Sequence, residues 1–474
     1  MTASAPRSAP RRVACRAWHH WVWSPWSIPL LAVAAIVPLA VPAVAAEPAP
    51  AIAADDPVPA APQPRWWKGN LHTHTFWSDG DDFPEMVAEW YRTHGYHFLA
   101  LSDHNLLQQG RRFDKEAALV KKGGEGVVDR YVARFGADWV ERRGVGADAE
   151  VRLKPLDEFR ALVEERGRFI LIPSEEISDT AEGVPVHMNA TNIRDPLPAA
   201  GGRTVSETIT ANMRAVEAQA EKAGREILAH LNHPNFGWAV TAEDLAHAVL
   251  ERHFEVHNGH PSVNQLGDAE RPSIERIWDI ANTIRLVALD APPLYGIATD
   301  DSHHYHGRAD GARPGRGWTM VRAARLTPEH VIRALRAGDA YASTGVSLRS
   351  IAFDPATRRL RLEIEPDGDA TFTTRFIGTL RGVDAAGTPI DTATLSEERR
   401  KALGRERRRF SEKIGEVLAT AEGPVAEYVL GGDELYVRAV VTSSREPADP
   451  SWKGQKQQAW TQPVGWSLRS PAAR

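Results

Sequence analysis

Imidazole and carboxylate side chains recur in this sequence where short apolar segments end. The string NLHTHTFWSDG places His72 and His74 two residues apart, and GIATDDSH does the same for Asp301 and His303. Alternate residues of a β-strand point to the same side, so each pair can aim at one metal ion. Because imidazole and carboxylate ligands together suit Zn, Mn or Fe, these strings predict a hydrolytic cluster of metal ions.

Further histidines and acids lie between the two strings, each closing or following an apolar strand-like run. The predicted metal ligands are, in chain order, His72, His74, Asp79, His104, Glu176, His187, His233, Asp301 and His303. A single His-x-His would be weak evidence in a chain with 18 histidines, whereas the longer ordered pattern is specific. Glu176 is the natural bridge, because one carboxylate can give an oxygen to each of two ions.

These strings resemble the PHP (polymerase and histidinol phosphatase) superfamily. The matching segments are NLHTHTFWSDG, FLALSDHN, IPSEEIS, VPVHMNAT, AHLNHP and GIATDDSH, and the resemblance covers residues 66–341. The resemblance implies an α/β fold, a distorted (β/α)7 barrel of PHP type, and two or three divalent metal ions (Zn, Mn or Fe). The later string AWTQP makes the chain similar to the branch that includes carbaryl hydrolases.

The resemblance also distributes the ligands over three ions. It implies that the catalytic residues are Glu176 and Asp301, which support a metal-bridging hydroxide. The implied sets are His72, His74, Glu176 and Asp301 for the first ion, Glu176, His187 and His233 for the second, and Asp79, His104 and His303 for the third.

Other side chains near these strings are predicted to support the ligands or to contact the substrate. The predicted supporting residues are Asp103, Glu175, His230, His257 and Asp300. Two of them, His230 and His257, could equally be barrel histidines whose hydrogen bonds are satisfied within the fold. The predicted substrate contacts are Asn105, Arg308, Arg316 and Trp460. For the two arginines, a solvated loop is an equally good interpretation.

Short apolar runs alternate with helical patterns over residues 65–344, which predicts a parallel β/α barrel or a doubly wound sheet. In both folds, functional side chains gather at the carboxyl ends of the strands, where the candidate ligands lie. Residues 106–154 break the alternation and are interpreted as an insertion over the mouth of the site. Strand-like runs in residues 345–474 predict a small antiparallel β-sandwich domain, with a charged helix at 396–419.

The N-terminus has the layout of a secretory signal peptide at residues 1–46. Arginines precede an apolar run that ends in small residues, which predicts cleavage near Ala46. An uncleaved membrane anchor is the alternative. A Pro/Ala-rich linker follows at 47–64. Cys15, the only cysteine, lies in the leader, so a mature chain would have no thiol. We expect a periplasmic or extracellular protein.

The net charge of the chain indicates which classes of binding partner to expect. The full chain has a net charge of −5, and loss of the leader removes four arginines and no acids. Dedicated duplex-nucleic-acid binding is therefore not expected, and neither is stable membrane insertion after cleavage. The expected partner is a small-molecule ester substrate, and the sequence leaves the oligomeric state open.

Four functions fit these observations. The leading hypothesis is an exported metal-dependent phosphoesterase that acts on small phosphoesters or nucleotides through a metal-bridging hydroxide. The first alternative is a carbamate, amide or carboxyl-ester hydrolase with the same metal centre. The others are a PHP-type exonuclease and a non-catalytic module that binds metal or glycans.

Overall fold

The computed structural model describes residues 62–308 and 310–468. The predicted leader at 1–46 and the linker up to residue 61 lie outside the described residues. Within the described ranges, no helix combines the length and the apolar character needed to cross a bilayer.

Strands and helices alternate through the first two thirds of the chain. The strands are β1 (Arg65–Asn70), β2 (Phe98–Leu101), β3 (Arg112–Lys115), β4 (Arg142–Arg143), β5 (Glu150–Leu153), β6 (Ile170–Ala181), β7 (Val184–Thr191), β8 (Leu228–Leu231), β9 (His253–Asn258), β10 (Tyr295–Thr299), β11 (Trp318–Ala323) and β12 (Ala340–Ser343). The helices are α1 (Pro84–Thr93), α2 (Glu116–Gly123), α3 (Val127–Phe135), α4 (Leu156–Val163), α5 (Val205–Ala223), α6 (Ala242–His247), α7 (Ile274–Val287) and α8 (Pro328–Ala337).

One thirteen-stranded sheet organises the chain, in the order β10-β9-β8-β7-β6-β2-β1-β11-β12 followed by four later strands. Strands β1, β2 and β6 run parallel, and so do β8, β9 and β10. An isolated parallel bridge between Thr73 and Ser302 links the segments that follow β1 and β10. The fold is therefore mixed α/β, and the carboxyl ends of β1 and β10 lie close together.

The expected parallel alternation does not hold at β6 and β7. These two long strands form an antiparallel hairpin, in which Ala181 pairs with Val184. The two turn residues, Glu182 and Gly183, have φ of 52° and 79°. Positive φ at both positions characterises the tight turn that joins antiparallel strands directly, so no crossover helix separates β6 from β7.

The insertion at 106–154 forms α2, α3 and a three-stranded antiparallel sheet in the order β3-β5-β4. Its apolar face packs against three aromatic residues of the loop after β1, namely Phe76, Trp77 and Phe83. The Lys122 ammonium also donates to the Ser78 carbonyl at 2.6 Å. The insertion therefore supports the segment that carries Asp79.

The last part of the chain contains mostly strands. They are β13 (Leu348–Asp354), β14 (Arg359–Ile364), β15 (Phe372–Leu380), β16 (Thr388–Pro389), β17 (Arg408–Arg409), β18 (Glu416–Glu422), β19 (Val425–Val429), β20 (Glu434–Ser443) and β21 (Gln458–Thr461), with one helix, α9 (Glu397–Leu403). Strands β21, β20, β15 and β18 continue the large sheet, and β13-β14-β19 form a separate sheet. The division into domains at residue 345 stays a prediction, and the large sheet runs across it.

The prediction of one charged helix over 396–419 is wrong. Helix α9 ends at Leu403, and the chain continues into β17 and β18. Gly404 and Gly415 have φ of 58° and 65°, a conformation that an α-helix cannot contain. The charged side chains of this segment instead pair with other parts of the fold, as when Arg405 binds Glu182 and Asp244.

Candidate metal centre

The strand ends bring all nine predicted ligands to one place. Two histidines follow β1, one follows β2 and one follows β8, while Glu176 lies in β6 and His187 in β7. Ligand atoms approach within 4.8 Å of one another in four overlapping groups, which are His74-Asp79-His104-His303, His72-His74-Glu176, His72-His233-Asp301 and His104-Glu176-His187. The grouping differs from the implied sets in placing His187 with His104 and His233 with Asp301.

Glu176 stands at the centre of the cluster, and its two oxygens face different histidines. Oε1 lies 3.0 Å from His187 Nδ1 and 3.6 Å from His233 Nε2. Oε2 lies 3.5 Å from His72 Nε2 and 3.3 Å from His74 Nε2. This is the arrangement that a carboxylate between two ions requires.

Asp301 faces the same two histidines from the opposite side. Its Oδ1 lies 3.2 Å from His72 Nε2 and 3.3 Å from His74 Nε2. Asp301 has a φ of 48°, an uncommon conformation for a residue other than glycine. The chain turns sharply here, directly after β10, and this turn aims the carboxylate into the cluster.

A third part of the cluster lies nearer the surface. Asp79 Oδ1 is 3.4 Å from His303 Nε2, and Asp79 Oδ2 is 3.6 Å from His104 Nε2. The Asp79 side chain is 54% exposed, whereas those of His72 and His74 are fully buried. The cluster is therefore reached from solvent on the Asp79 side.

The cluster fits divalent metal ions. Among the described residues, His72 Nε2, His74 Nε2 and Glu176 Oε2 are buried and have no hydrogen-bond partner. Buried polar atoms in that state are costly and are rare in folded proteins. Metal ions between them would satisfy all three atoms, and the imidazole and carboxylate donors suit Zn, Mn or Fe.

The acids and histidines of the cluster shift one another's pKa values. Burial raises the pKa of Glu176 and of Asp301, but the surrounding histidines outweigh it and hold both pKa values well below the ordinary range. Burial, reinforced by His303, lowers the pKa of His74 to about 3. For four other ligand histidines burial lowers the pKa, but the nearby carboxylates outweigh it and raise the pKa above its ordinary value, at His72, His104, His233 and His303. Metal binding at those four rings would release protons.

Sequence reasoning missed Glu255, a fully buried residue of β9. Its Oε1 lies 2.7 Å from His72 Nδ1 and accepts a hydrogen bond from the Thr299 hydroxyl. Its Oε2 accepts from the backbone N–H of His233 at 2.7 Å. Glu255 therefore orients His72 so that Nε2 faces the cluster. The signal in the sequence is a lone acid inside the short strand-like segment FEVHN.

Two of the predicted supporting residues hold the loops that carry ligands. Asp103 accepts from Thr75 and from the Ser78 hydroxyl, so it fixes the turn before Asp79 and contacts no histidine directly. Asp300 accepts from Tyr91 and from the backbone N–H groups of Arg316 and Gly317.

The other three supporting residues differ in their contacts. Glu175 lies next to Glu176 in the strand and accepts instead from the backbone N–H of Leu197. His230 lies 3.6 Å from Glu255, so it supports the cluster through that carboxylate. His257 packs against Trp460, with ring centroids 5.9 Å apart, and burial lowers its pKa to about 4. His257 therefore belongs to the packed interior.

Two predicted substrate contacts are buried. Trp460 is 1% exposed and lies in β21, between β12 and β20. Arg316 is 4% exposed and binds Asp449 at 3.0 Å and the carbonyls of Gly259 and Gly311. Both stay predictions as substrate contacts, and neither side chain is exposed to solvent.

The other two predicted contacts lie at the surface. Asn105 hydrogen-bonds the backbone of Ser178 through both atoms of its amide. Arg308 pairs with Asp310 at 2.9 Å. Both remain predictions as substrate contacts.

Comparisons with known proteins give distant likenesses only. No family model and no curated protein matches the chain. One similar solved structure is a two-domain protein from Bacteroides vulgatus, described as containing a predicted PHP-like metal-dependent phosphoesterase. The two chains are 13% identical, the match covers 86% of this chain and 98% of that one, and the TM-score is 0.34. PsfC from Pseudomonas syringae is similar at 10% identity over 57% and 88%, with a TM-score of 0.30.

A third solved structure, from Bifidobacterium adolescentis and provisionally described as a metal-dependent phosphoesterase, is 16% identical over 52% of this chain and 90% of that one, with a TM-score of 0.26. One of the three descriptions names the superfamily that the motifs resemble. At these identities and TM-scores the likenesses carry no inference about chemistry, which is argued from the cluster itself.

Proposed function

We propose that this chain is a metal-dependent hydrolase of PHP type, a phosphoesterase that acts on small phosphoesters or nucleotides. The fold belongs to the same proposal: we interpret the strands from β1 to β10 as a distorted (β/α)7 barrel, and the later strands as a small sandwich. The placement in the carbaryl-hydrolase branch stays a prediction.

The observation that carries the proposal is the position of Glu176. Its Oε1 faces two histidines and its Oε2 faces three, and the buried Oε2 makes no hydrogen bond of good geometry among the described residues. A carboxylate in that position supports binding of two ions. Paired ions are typical of enzymes that hydrolyse phosphoesters and related esters.

The metal ions would be held by the nine clustered side chains. When bound, such ions lower the pKa of a coordinated water towards neutrality and withdraw charge from the ester oxygens. The chain's own residues hold and orient this centre. Glu255 keeps the proton of His72 on Nδ1, and Asp103 holds the turn before Asp79. The exposed side of the cluster, at Asp79 and His104, is where a substrate would enter.

A carbamate, amide or carboxyl-ester hydrolase is the second candidate, and one observation favours it. Arg313 and Arg316 are both paired with Asp449, and Arg308 with Asp310. Arg313 and Arg316 are therefore not free to grip a phosphate in the bidentate manner that arginine favours, whereas Arg308 is held only by an exposed pair.

The test is activity after loading the purified chain with Zn, Mn or Fe, on matched phosphate, carbamate and carboxyl esters. We expect phosphoester turnover that is lost on chelation and restored by metal. Turnover confined to carbamates or carboxyl esters would transfer the assignment to the second candidate. Metal content below one ion per chain at neutral pH would instead favour a non-catalytic module.

We also propose that the protein is exported. The support is the leader-like composition of residues 1–46. We expect a mature chain that begins near Ala46 or Glu47 in the periplasmic or extracellular fraction. N-terminal sequencing after expression of the full chain measures this, and intact Met1 in a soluble cytoplasmic fraction would contradict it.

A further inference from the structure

A cavity of about 200 Å³ lies beside the candidate metal centre. One wall is the loop after β9, which contributes Asn258, His260, Val263 and Leu266, and the other wall is the corner formed by Ser451 and Trp452. We call this space the side cavity. Ser451 and Trp452 belong to the connection between β20 and β21, so the last part of the chain completes a space that the first part leaves open.

The side cavity adjoins the metal cluster. The Asn258 amide donates to Asp301 Oδ2 at 3.1 Å and to Glu255 at 2.7 Å. The ring of His260 lies 5.6 Å from that of His303. A substrate whose reacting bond sits at the cluster can therefore extend one end past His260 into the side cavity.

The lining of the side cavity carries no charge. None of its ten residues is Lys, Arg, Asp or Glu. The one titratable residue, His260, accepts a hydrogen bond at Nδ1 from the backbone N–H of Ser262, which leaves the proton on Nε2 of a neutral ring.

Polar groups form more of the lining than apolar groups do, and all of them are uncharged. The apolar part includes Leu266, which is 64% exposed although it is large, and Trp452, which is only half-buried. The side cavity thus combines an indole ring and a leucine with uncharged polar groups such as Asn264 and Ser451.

The loop that forms the first wall is held in place before any ligand binds. Its backbone is closed by hydrogen bonds from Val263 to His260 and from Gly267 to Asn264. The Asn264 amide also donates to the Asn235 carbonyl at 3.0 Å. Sites for small molecules are usually preformed in this way.

We propose that the side cavity receives the leaving group of the substrate, and that the group it takes is uncharged and has a flat face that packs against Trp452. This inference rests on the proposed hydrolase function and deepens it. At about 200 Å³ the side cavity is smaller than a complete ligand site of roughly 300–1,000 Å³, so it holds one part of a substrate. The absence of a cation in the lining disfavours leaving groups that carry a further phosphate or carboxylate.

The kinetic test compares phosphate monoesters that share the phosphoryl group and differ only in the alcohol: phenyl, methyl and 4-carboxyphenyl phosphate. For the metal-loaded chain we expect kcat/KM to be highest for phenyl phosphate. Trp452→Ala should lower the phenyl-to-methyl ratio of kcat/KM by about tenfold, because an apolar contact of that size is lost. Leu266→Ala, at an exposed position that does not threaten folding, should lower the ratio in the same direction.

The matched control is Trp466→Ala. Trp466 is also half-buried, but it packs near Leu435 and Tyr436, away from the side cavity, and its loss should leave the ratio unchanged. An equal effect of Trp452→Ala and Trp466→Ala on the ratio would overturn the proposal. So would a preference of the parent chain for the 4-carboxyphenyl ester.

A binding measurement separates this proposal from the proposed function. Phenol is titrated against the metal-loaded chain and followed by ligand-observed NMR, which needs no turnover. We expect saturable binding that weakens about tenfold in Trp452→Ala and is retained in Trp466→Ala. Absence of phenol binding would refute the side cavity as a leaving-group site even if esters are hydrolysed. Binding without hydrolysis of any ester would refute the proposed function alone.

Discussion

At the scale of single residues, Glu175 and Glu176 are neighbours with different surroundings. Glu176 contacts five histidines of the cluster, whereas Glu175 accepts from a backbone N–H of the loop at Leu197. Successive residues of a strand face opposite sides of the sheet, so the register of β6 decides which carboxylate belongs to the metal centre.

We predict that Glu176→Gln lowers activity at least about 100-fold and removes metal, because a neutral amide bridges ions poorly. Glu175→Gln should cost less than about threefold in activity. Burial raises the pKa of Glu175 to about 7, so near neutral pH its carboxyl is already partly protonated and resembles an amide. Metal analysis and circular dichroism accompany the kinetics, and the reverse ranking of the two variants would contradict the register.

We predict that Glu255→Gln weakens metal affinity by about 10–100-fold, the usual cost of losing a carboxylate that orients a ligand histidine. The amide can no longer accept from both His72 and the backbone of His233. Glu251→Gln is the matched control, since Glu251 is equally buried but accepts from the backbone N–H groups of Arg252 and His253. Competition with a fluorescent chelator measures both, and equal affinities would contradict the assigned role of Glu255.

At the scale of elements, the insertion is joined to α1 by a buried carboxyl. Glu85 of α1 accepts from the Tyr131 hydroxyl of α3 at 2.6 Å and from the Trp139 indole at 3.1 Å. The same insertion packs on the loop that carries Asp79. The contact at Glu85 therefore helps to hold Asp79 in its place in the metal centre.

We predict that this contact makes stability depend on pH. Burial raises the pKa of Glu85 to about 7 in the folded protein, against an ordinary value of 4.5. The folded state therefore holds a proton that the unfolded state releases. Its stabilising contribution is complete below about pH 4.5 and falls as the pH rises towards 7, by up to about 3 kcal/mol.

Glu85→Gln should remove that dependence, so the free energy of unfolding of the variant relative to the parent should rise between pH 4.5 and 7. Urea unfolding at several pH values measures the difference, and Glu125→Gln, at an exposed site of the insertion, serves as the control. Parallel pH profiles for the parent and Glu85→Gln would contradict the prediction.

At the scale of the whole molecule, a buried ion pair ties the C-terminal strands to α7. The guanidinium of Arg438, in β20, donates to both oxygens of Asp279 at 2.9 and 2.7 Å, and the Tyr436 hydroxyl donates to the same carboxylate. Arg438 is 1% exposed and Asp279 is 3% exposed. This pair fixes the sheet that leads to Ser451 and Trp452.

We predict that Arg438→Met lowers the free energy of unfolding by about 3–5 kcal/mol, because it leaves a buried carboxylate without its partner. Adding Asp279→Leu should recover most of that loss, since both charges are then removed. Chemical unfolding of the two single variants and the double variant measures these free energies. If the losses of the two single variants add up in the double variant, Arg438 and Asp279 do not stabilise the fold as a pair.

Local patterns in the sequence determined the identity of the candidate ligands. His72, His74, Glu176 and Asp301 stand out because metal chemistry restricts residue types and because strand geometry restricts spacing. The start of a helix is local in the same way: Thr327 caps α8 and Pro328 is its first residue, a pattern that depends on a few neighbouring residues.

The tertiary structure alone decided which of these residues meet and what surrounds them. Glu255 supports His72 from a strand 183 positions away, and Trp452 rather than Trp460 borders the candidate site because β21 is covered on both sides. The helix predicted at 396–419 failed for a related reason, since arginines such as Arg405 find distant acids. Burial and pairing depend on segments far apart in the chain, and no local pattern contains that information.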